Sequence, residues 1–300
     1  MLKYFILFFL AISPLSLFSQ SIKKAYKFYE KGEIIKLRDA LSKMDEKMNE
    51  NPGKHYLYAL LYLEEIEIRE KLDSAFYFVK LSRRNIYSVD AKENEELIDL
   101  NITTSAIDSL EDVIDSVEFQ FVLEKNNIDE YRKYMKDHKT SLFYNRAVEN
   151  WHYLEFQVSK KNNTWQSYKI FIDSFPKSKE YPLAKKLYDD LLFREKTSDK
   201  RLGSYEKFLE NNPSTPYRDS IEHIILKYYS VDNALGGYAK FINKFPNSVH
   251  KNLAIDFLYH AAGRDINKIL EITDIGMLED SLISISSIDQ IPLLGIYEKG

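Results

Sequence analysis

The sequence predicts an all-α chain built as a solenoid of stacked antiparallel helical hairpins. One short pattern recurs four times, at spacings of 37, 37 and 33 residues, opening at Tyr131, Tyr168, Tyr205 and Tyr238. Self-similarity at periods of about 20–50 residues marks an array of stacked units. Only nine Gly and eight Pro occur in 300 residues, too few for the many tight turns of an all-β fold. The long runs rich in Leu, Glu, Lys and Ala favour helix. At 44% apolar residues and mild acidity, the composition is that of a folded chain rather than a disordered one.

At the N-terminus, Lys3 precedes an apolar run from Tyr4 to Ile12, then Pro14 and a small residue, Ser19. One positive charge, a short apolar core and a small residue before the mature chain predict a secretory signal peptide over 1–19, cleaved after Ser19. An uncleaved N-terminal anchor is the alternative. No later run reaches the 18 or more apolar residues of a membrane span. With no cysteine, disulfides are excluded, as is a lipid-modified cysteine. Removing the signal leaves 41 basic against 46 acidic residues, a formal charge of −5. That balance gives no electrostatic reason to expect nucleic acid or an anionic membrane. The expected product is exported, periplasmic or outer-membrane-associated, and not a lipoprotein.

Residues 20–88 form the first expected block, with apolar spacing that fits helices near 22–30, 33–49, 54–69 and 72–83. An acidic connector over 89–104 follows. Residues 93–124 as a whole hold ten acidic side chains and no basic one. Asp108, Asp112 and Asp115 are read as one face opposite the apolar run Ile107, Leu110, Ile114, Val117, Phe121. That face is either solvated or a docking patch for a basic partner.

The repeat array is expected over 105–268. In each copy positions 0, +3, +4 and +7 share one side of a helix, as Tyr168, Phe171, Ile172 and Phe175 do. Proline at +8 (Pro176, Pro213, Pro246) moves the residue before it out of the α region and ends the helix. A second helix follows with Ala147, Ala184, Ile221 or Ala254 at +16, small or apolar enough to let two helix axes approach closely. From Ile269 the helical period fades, and Leu282 to Ser286 alternates with period two. Residues 269–300 are read as an irregular segment, either a cap on the array or the start of a further module.

These units resemble the tetratricopeptide repeat family. Tyr168 to Ala184 (YKIFIDSFPKSKEYPLA) and Tyr238 to Ala254 (YAKFINKFPNSVHKNLA) are similar to a form found in periplasmic and outer-membrane-associated members. Examples are the Tol-Pal-associated coordinator and the TPR subunit of the β-barrel assembly machinery. The likeness covers about 130–270, with Phe28 and Gly32 resembling the family's aromatic and turn glycine in the first block. Two copies depart from the pattern: His138-Lys139 replaces Phe-Pro in the first, and Asn212 replaces Phe in the third. The resemblance implies a helical-repeat surface that binds protein or peptide.

Chemical motifs are few. No H-E-x-x-H, no phosphate-binding glycine loop and no nucleophile elbow is present, and thiolate chemistry is excluded by composition. Asp256 and His260 stand at i, i+4 and are read as a surface helix pair rather than a metal site. The aromatics Tyr168, Phe171, Phe175, Phe208, Phe241 and Phe245 are assigned to the core, because their spacing accounts for them. Trp151 is placed in the core and Trp165 in a turn, where exposure is open to it. Asp-Ser triplets at Ser74, Ser109, Ser116, Ser220 and Ser281 look like bacterial O-glycosylation sites, and equally like helix-start chemistry. Asn101 and Asn162 begin Asn-x-Thr sequons. No catalytic, cofactor-binding or metal residue is assigned, and no cofactor is expected.

The function expected is that of an exported, non-catalytic scaffold binding a protein or peptide of the cell envelope. Its groove would be lined by the second helices near 142–158, 181–194, 218–230 and 249–262. An envelope hydrolase or saccharide-binding protein of α/α type is one alternative, and the N-terminal spacer arm of a larger protein is another.

Overall fold

The structure, a computed structural model, describes residues 14–44, 48, 50–65 and 69–272. The expected signal core over 1–13, the tail over 273–300 and Ser281 lie outside the described residues. Among the described residues there are fifteen helices and no strand, so the chain is all-α. In the first half these are α1 (Pro14–Glu30), α2 (Ile34–Met44), α3 (Pro52–Leu63), α4 (Arg69–Asn85), α5 (Ala91–Asp99), α6 (Thr104–Lys125), α7 (Ile128–Asp137) and α8 (Tyr144–Asn162). The second half holds α9 (Trp165–Ser174), α10 (Tyr181–Lys196), α11 (Leu202–Asn211), α12 (Arg218–Asp232), α13 (Ala234–Lys244), α14 (Lys251–Ala261) and α15 (Ile266–Leu270). The chain forms two compact units, 1–155 and 156–300, which divide within α8. None of the described helices is long and apolar enough to cross a membrane. The expected cleavage point after Ser19 falls within α1.

Local chemistry sets the helix starts. Asn51, Asp90, Thr103, Asn127 and Thr164 each stand at an N-cap and accept a backbone N–H of the following turn. Pro52 adds a preset φ in the first turn of α3. The predicted turn glycine Gly32 has φ +67°, and the N–H of Glu33 reaches back to Phe28 O across 2.9 Å, closing α1 before α2 begins. In the N-terminal unit α3 packs on α4, α4 on α6, and α1 on both α2 and α3, around a core that includes Leu37, Leu41, Leu57 and Leu72.

All four copies of the repeat adopt one geometry. The residue at +7 has φ/ψ of −115/50°, −129/57°, −134/64° and −125/61° at His138, Phe175, Asn212 and Phe245. Its N–H donates to the +3 carbonyl at 2.8, 2.9, 2.9 and 2.8 Å, and its own carbonyl accepts from the +10 N–H at 3.1, 3.1, 3.1 and 3.0 Å. Two turns later the N–H at +16 reaches the +12 carbonyl at 2.9 Å in every copy, and the +16 side chain is fully buried each time. Proline at +8 therefore agrees with the turn without being required by it. His138 is followed by Lys139 and takes the same conformation, held by the same hydrogen bonds.

The two departures from the pattern have separate local explanations. Asn212 replaces a ring by a donor, and its Nδ2 gives a second hydrogen bond, of 2.9 Å, to Phe208 O, the carbonyl that already accepts the Asn212 backbone N–H. His138 is buried and carries the polar cluster described below. The short fourth spacing also has a visible cause. In three copies a residue in the left-handed region precedes the tyrosine by five, namely Asn126, Asn163 and Lys200, with φ between +43° and +52°. In the fourth, Asn233 ends α12 and caps α13 at once, accepting from Gly236 N at 3.0 Å. This tight junction brings Gly237 so near α12 that a Cβ there would lie 1.8 Å from Tyr229 O. Only glycine fits that approach.

Candidate functional site

Two places in the N-terminal unit gather chemistry-bearing side chains, and the first departs from the expected surface reading of the acidic stretch. The first is a buried polar cluster between α4, α6 and the end of α7. His138, Asp115 and Glu118 are each 2% exposed. The His138 ring places Nδ1 2.6 Å from Asp115 Oδ1 and Nε2 2.9 Å from Glu118 Oε2. It stacks on Tyr134, with centroids 4.5 Å apart, and meets Phe76 at 4.0 Å. The Tyr134 hydroxyl in turn lies 2.7 Å from Ser141 Oγ, which accepts from Phe143 N at 3.1 Å.

Burial by itself pulls the His138 pKa down, but the hydrogen bond to Asp115 and the nearby Glu118 carboxylate outweigh it and push the value up to about 9. The ring is thus an imidazolium at neutral pH, held between two carboxylates and two aromatic faces. Burial also raises the Tyr134 hydroxyl well above its ordinary value. His138, Asp115 and Glu118 are almost wholly enclosed, so their chemistry is that of an interior ion triad.

The placement of Asp115 corrects the sequence reading. Asp108 and Asp112 are exposed as expected, whereas Asp115 turns inward and is not part of a solvated face. Glu111, Asp115 and Glu118 recur at i, i+4 and i+7 beside the apolar stripe of α6, and that spacing was the available signal. Each meets a base from another helix. Lys80 and Arg83 of α4 pair with Glu111, Arg83 also pairs with Asp108, and His138 takes the remaining two.

The second place is a cleft of about 330 Å³ formed by α1, Met48, Glu50, Asn51 and Pro52, the end of α4 and α5. Its floor is apolar: Ile22, Pro52 and Leu97 are buried beneath it, and Leu100 is half-buried. Its rim carries Glu50, Asp90, Glu93, Glu96 and Asp99 against two lysines, Lys23 and Lys92. Glu93 is the most constrained of these. Asp90 Oδ1 accepts its N–H at 2.8 Å as the α5 cap, and Asn51 Nδ2 donates to its carboxylate. Burial raises the Glu93 pKa, the Asn51 hydrogen bond opposes this, and the nearby Asp90 and Glu96 charges add to the rise. Among the described residues no Lys or Arg is ion-paired with Glu50, Asp90, Glu96 or Asp99.

The remaining sequence-selected residues lie where framework or surface chemistry uses them. Tyr168, Phe171, Phe208, Phe241 and Phe245 are buried, and Phe175 is half-buried against Phe171. Trp151 is half-buried, its Nε1 donating 2.9 Å to Glu155 with the Arg132 guanidinium over its ring. Trp165 is the first residue of α9 rather than a turn residue, and it packs edge-on to Tyr188. Asp256 and His260 face each other at 3.5 Å on α14. Among the described residues no three His, Asp or Glu side chains are grouped to hold a metal. Ser74, Ser109, Ser116 and Ser220 sit inside helices, with Ser74 and Ser109 bonding the carbonyl four residues back. Thr103 and Thr164 of the two sequons serve as N-caps. No protein-family model matches the chain, and no curated protein does.

Proposed function

We propose that this chain is an exported, non-catalytic scaffold of tetratricopeptide-like hairpins that binds a protein or peptide partner of the cell envelope. The observation that supports this reading is how the repeat spends its residues. What recurs from copy to copy packs inward: the rings at 0, buried in three copies and half-buried at Tyr238, the rings at +3, the apolar residue at +4 and the small or apolar residue at +16. What differs is outside. In the C-terminal unit corresponding exposed or half-buried positions of α10, α12 and α14 carry unlike residues: Lys186, His223 and Asp256 at +18, and Asp190, Lys227 and His260 at +22. A constant frame presenting a varied helical surface suits recognition of an extended or helical segment, where shape and side-chain pattern give the specificity. The second helices α10, α12 and α14 would provide that surface.

The test is affinity capture of residues 20–300 from envelope extract of the source cell, with crosslinking and mass spectrometry. One enriched protein whose crosslinks fall on successive second helices supports the reading. Enrichment of glycan or peptidoglycan fragments with no crosslinked protein would replace it with the saccharide-binding alternative.

A further inference from the structure

We infer that the cleft of the N-terminal unit binds a short cationic protein segment, seating an apolar side chain on the Pro52–Leu97–Leu100 floor and pairing flanking Lys or Arg with the carboxylate rim. This concerns a different surface from the second helices of the repeats and does not depend on them.

Three observations carry it. First, the site is a formed cavity with an apolar floor. At about 330 Å³ it lies at the lower end of the roughly 300–1,000 Å³ of ligand sites. That is room for a few side chains and too little for a folded partner.

Second, the rim holds five carboxylates against Lys23 and Lys92, whereas the buried acids of the same unit are each matched. Glu111, Asp115 and Glu118 of α6 each meet Lys80, Arg83 or His138. The α5 acids Glu96 and Asp99 have no such partner among the described residues, although they share the rim with three further carboxylates. Carboxylates crowded around an apolar floor repel one another, and a cation brought to the rim relieves that repulsion. An anionic or purely apolar occupant would meet the same rim unfavourably.

Third, the geometry is fixed from beneath. Asn51 both caps α3, accepting Lys54 N at 2.8 Å, and donates to Glu93. Asn85 at the end of α4 donates 2.8 Å to Glu50 O. The rim is therefore tied to the starts of α3 and α5 and to the end of α4, so a bound segment meets a prepared surface. Burial holds the half-buried Glu93 carboxyl above its ordinary value, and an approaching cation would oppose that rise.

The experiment is fluorescence anisotropy of the full chain with a labelled Lys-Phe-Lys-Leu-Lys peptide, alongside Glu-Phe-Glu-Leu-Glu and Lys-Ser-Lys-Ser-Lys. The first should bind, the second should not, and the third should bind at least about tenfold more weakly because it leaves the floor empty. Glu96→Lys with Asp99→Lys should weaken the first peptide by about tenfold or more. Asp112→Lys with Glu124→Lys makes the same change in net charge at exposed positions of α6 outside the cleft, and should leave affinity within about twofold. Thermal melting of both double variants checks that the fold is retained. No binding of the Phe-bearing cationic peptide at millimolar concentration would overturn the proposal, as would equal weakening by both double variants, which is the mark of diffuse attraction. Concentration-dependent self-association that only the cleft variant abolishes would overturn it too, making a second copy of this chain the occupant. Failure of this peptide test leaves the envelope-capture experiment unaffected, so the two readings fall separately.

Discussion

His138 stands where the repeat pattern calls for phenylalanine, and His138→Phe separates pattern from structure by the sign of its effect. Restoring the pattern residue adds apolar surface at a buried position and, on the pattern alone, stabilises the hairpin. In the structure the imidazolium is the partner of two carboxylates that are each 2% exposed. Its removal leaves both buried without a counter-charge, which costs about 3–5 kcal/mol. Replacing the whole triad, Asp115→Leu with Glu118→Met and His138→Phe, removes the orphaned charges and should recover most of that loss or exceed it. Urea unfolding followed by circular dichroism gives the stabilities, and hydrogen exchange over 104–144 assigns the transition to this part of the chain.

The same cluster fixes a pH signature. A folded pKa of about 9 lies above the roughly 6.5 of an unfolded histidine. Because the folded value is raised, the contribution is fully present below pH about 6.5 and disappears as pH rises through about 9. Between pH 7 and 9.5 the wild-type chain should lose about 2 kcal/mol relative to the triple variant. A His138→Phe chain as stable as wild type, or a wild-type stability flat over that range, would refute the ion-triad account.

Further expectations follow from single positions. Gly237→Ala must push a methyl into Tyr229 O and should cost about 3 kcal/mol or more, whereas Gly203→Ala in α11 meets nothing within 4 Å and should stabilise by about 0.5–1 kcal/mol; paired denaturation curves check the contrast. Gly32→Ala also meets open space, yet at φ +67° it should cost about 1 kcal/mol by the same assay. Phe241→Ala empties a fully buried site and should cost about 3–5 kcal/mol, with any loss of partner capture tracking the loss of folded protein measured by circular dichroism.

The repeat was legible because its signals are local. A tyrosine, an aromatic three residues on and a small or apolar residue at +16 define which face of each helix is apolar, and helical periodicity does not depend on what lies beyond the chain segment. The turn after each first helix is likewise readable, although its backbone hydrogen bonds and not proline hold it: Lys139 follows His138 in the same geometry. The ion triad was harder to read. Asp115 stands 23 residues from His138, and its inward direction depends on α4 bringing Phe76 and Lys80 over the same face. An acidic stretch without bases of its own reads as a solvated face or a docking patch, whereas Glu111, Asp115 and Glu118 take their bases from elsewhere in the fold.

The cleft was invisible for the same reason. Ile22, Pro52, Asn85 and Leu97 belong to four separate stretches, and no periodicity links them. The sequence by itself determined the helices, their apolar faces, their caps and the recurrence of one hairpin, since each depends on neighbours within about one or two turns. Only the tertiary structure decided which charges are buried in pairs and which are left at a rim, because Coulomb energy and desolvation depend on distances between segments that the chain order does not contain.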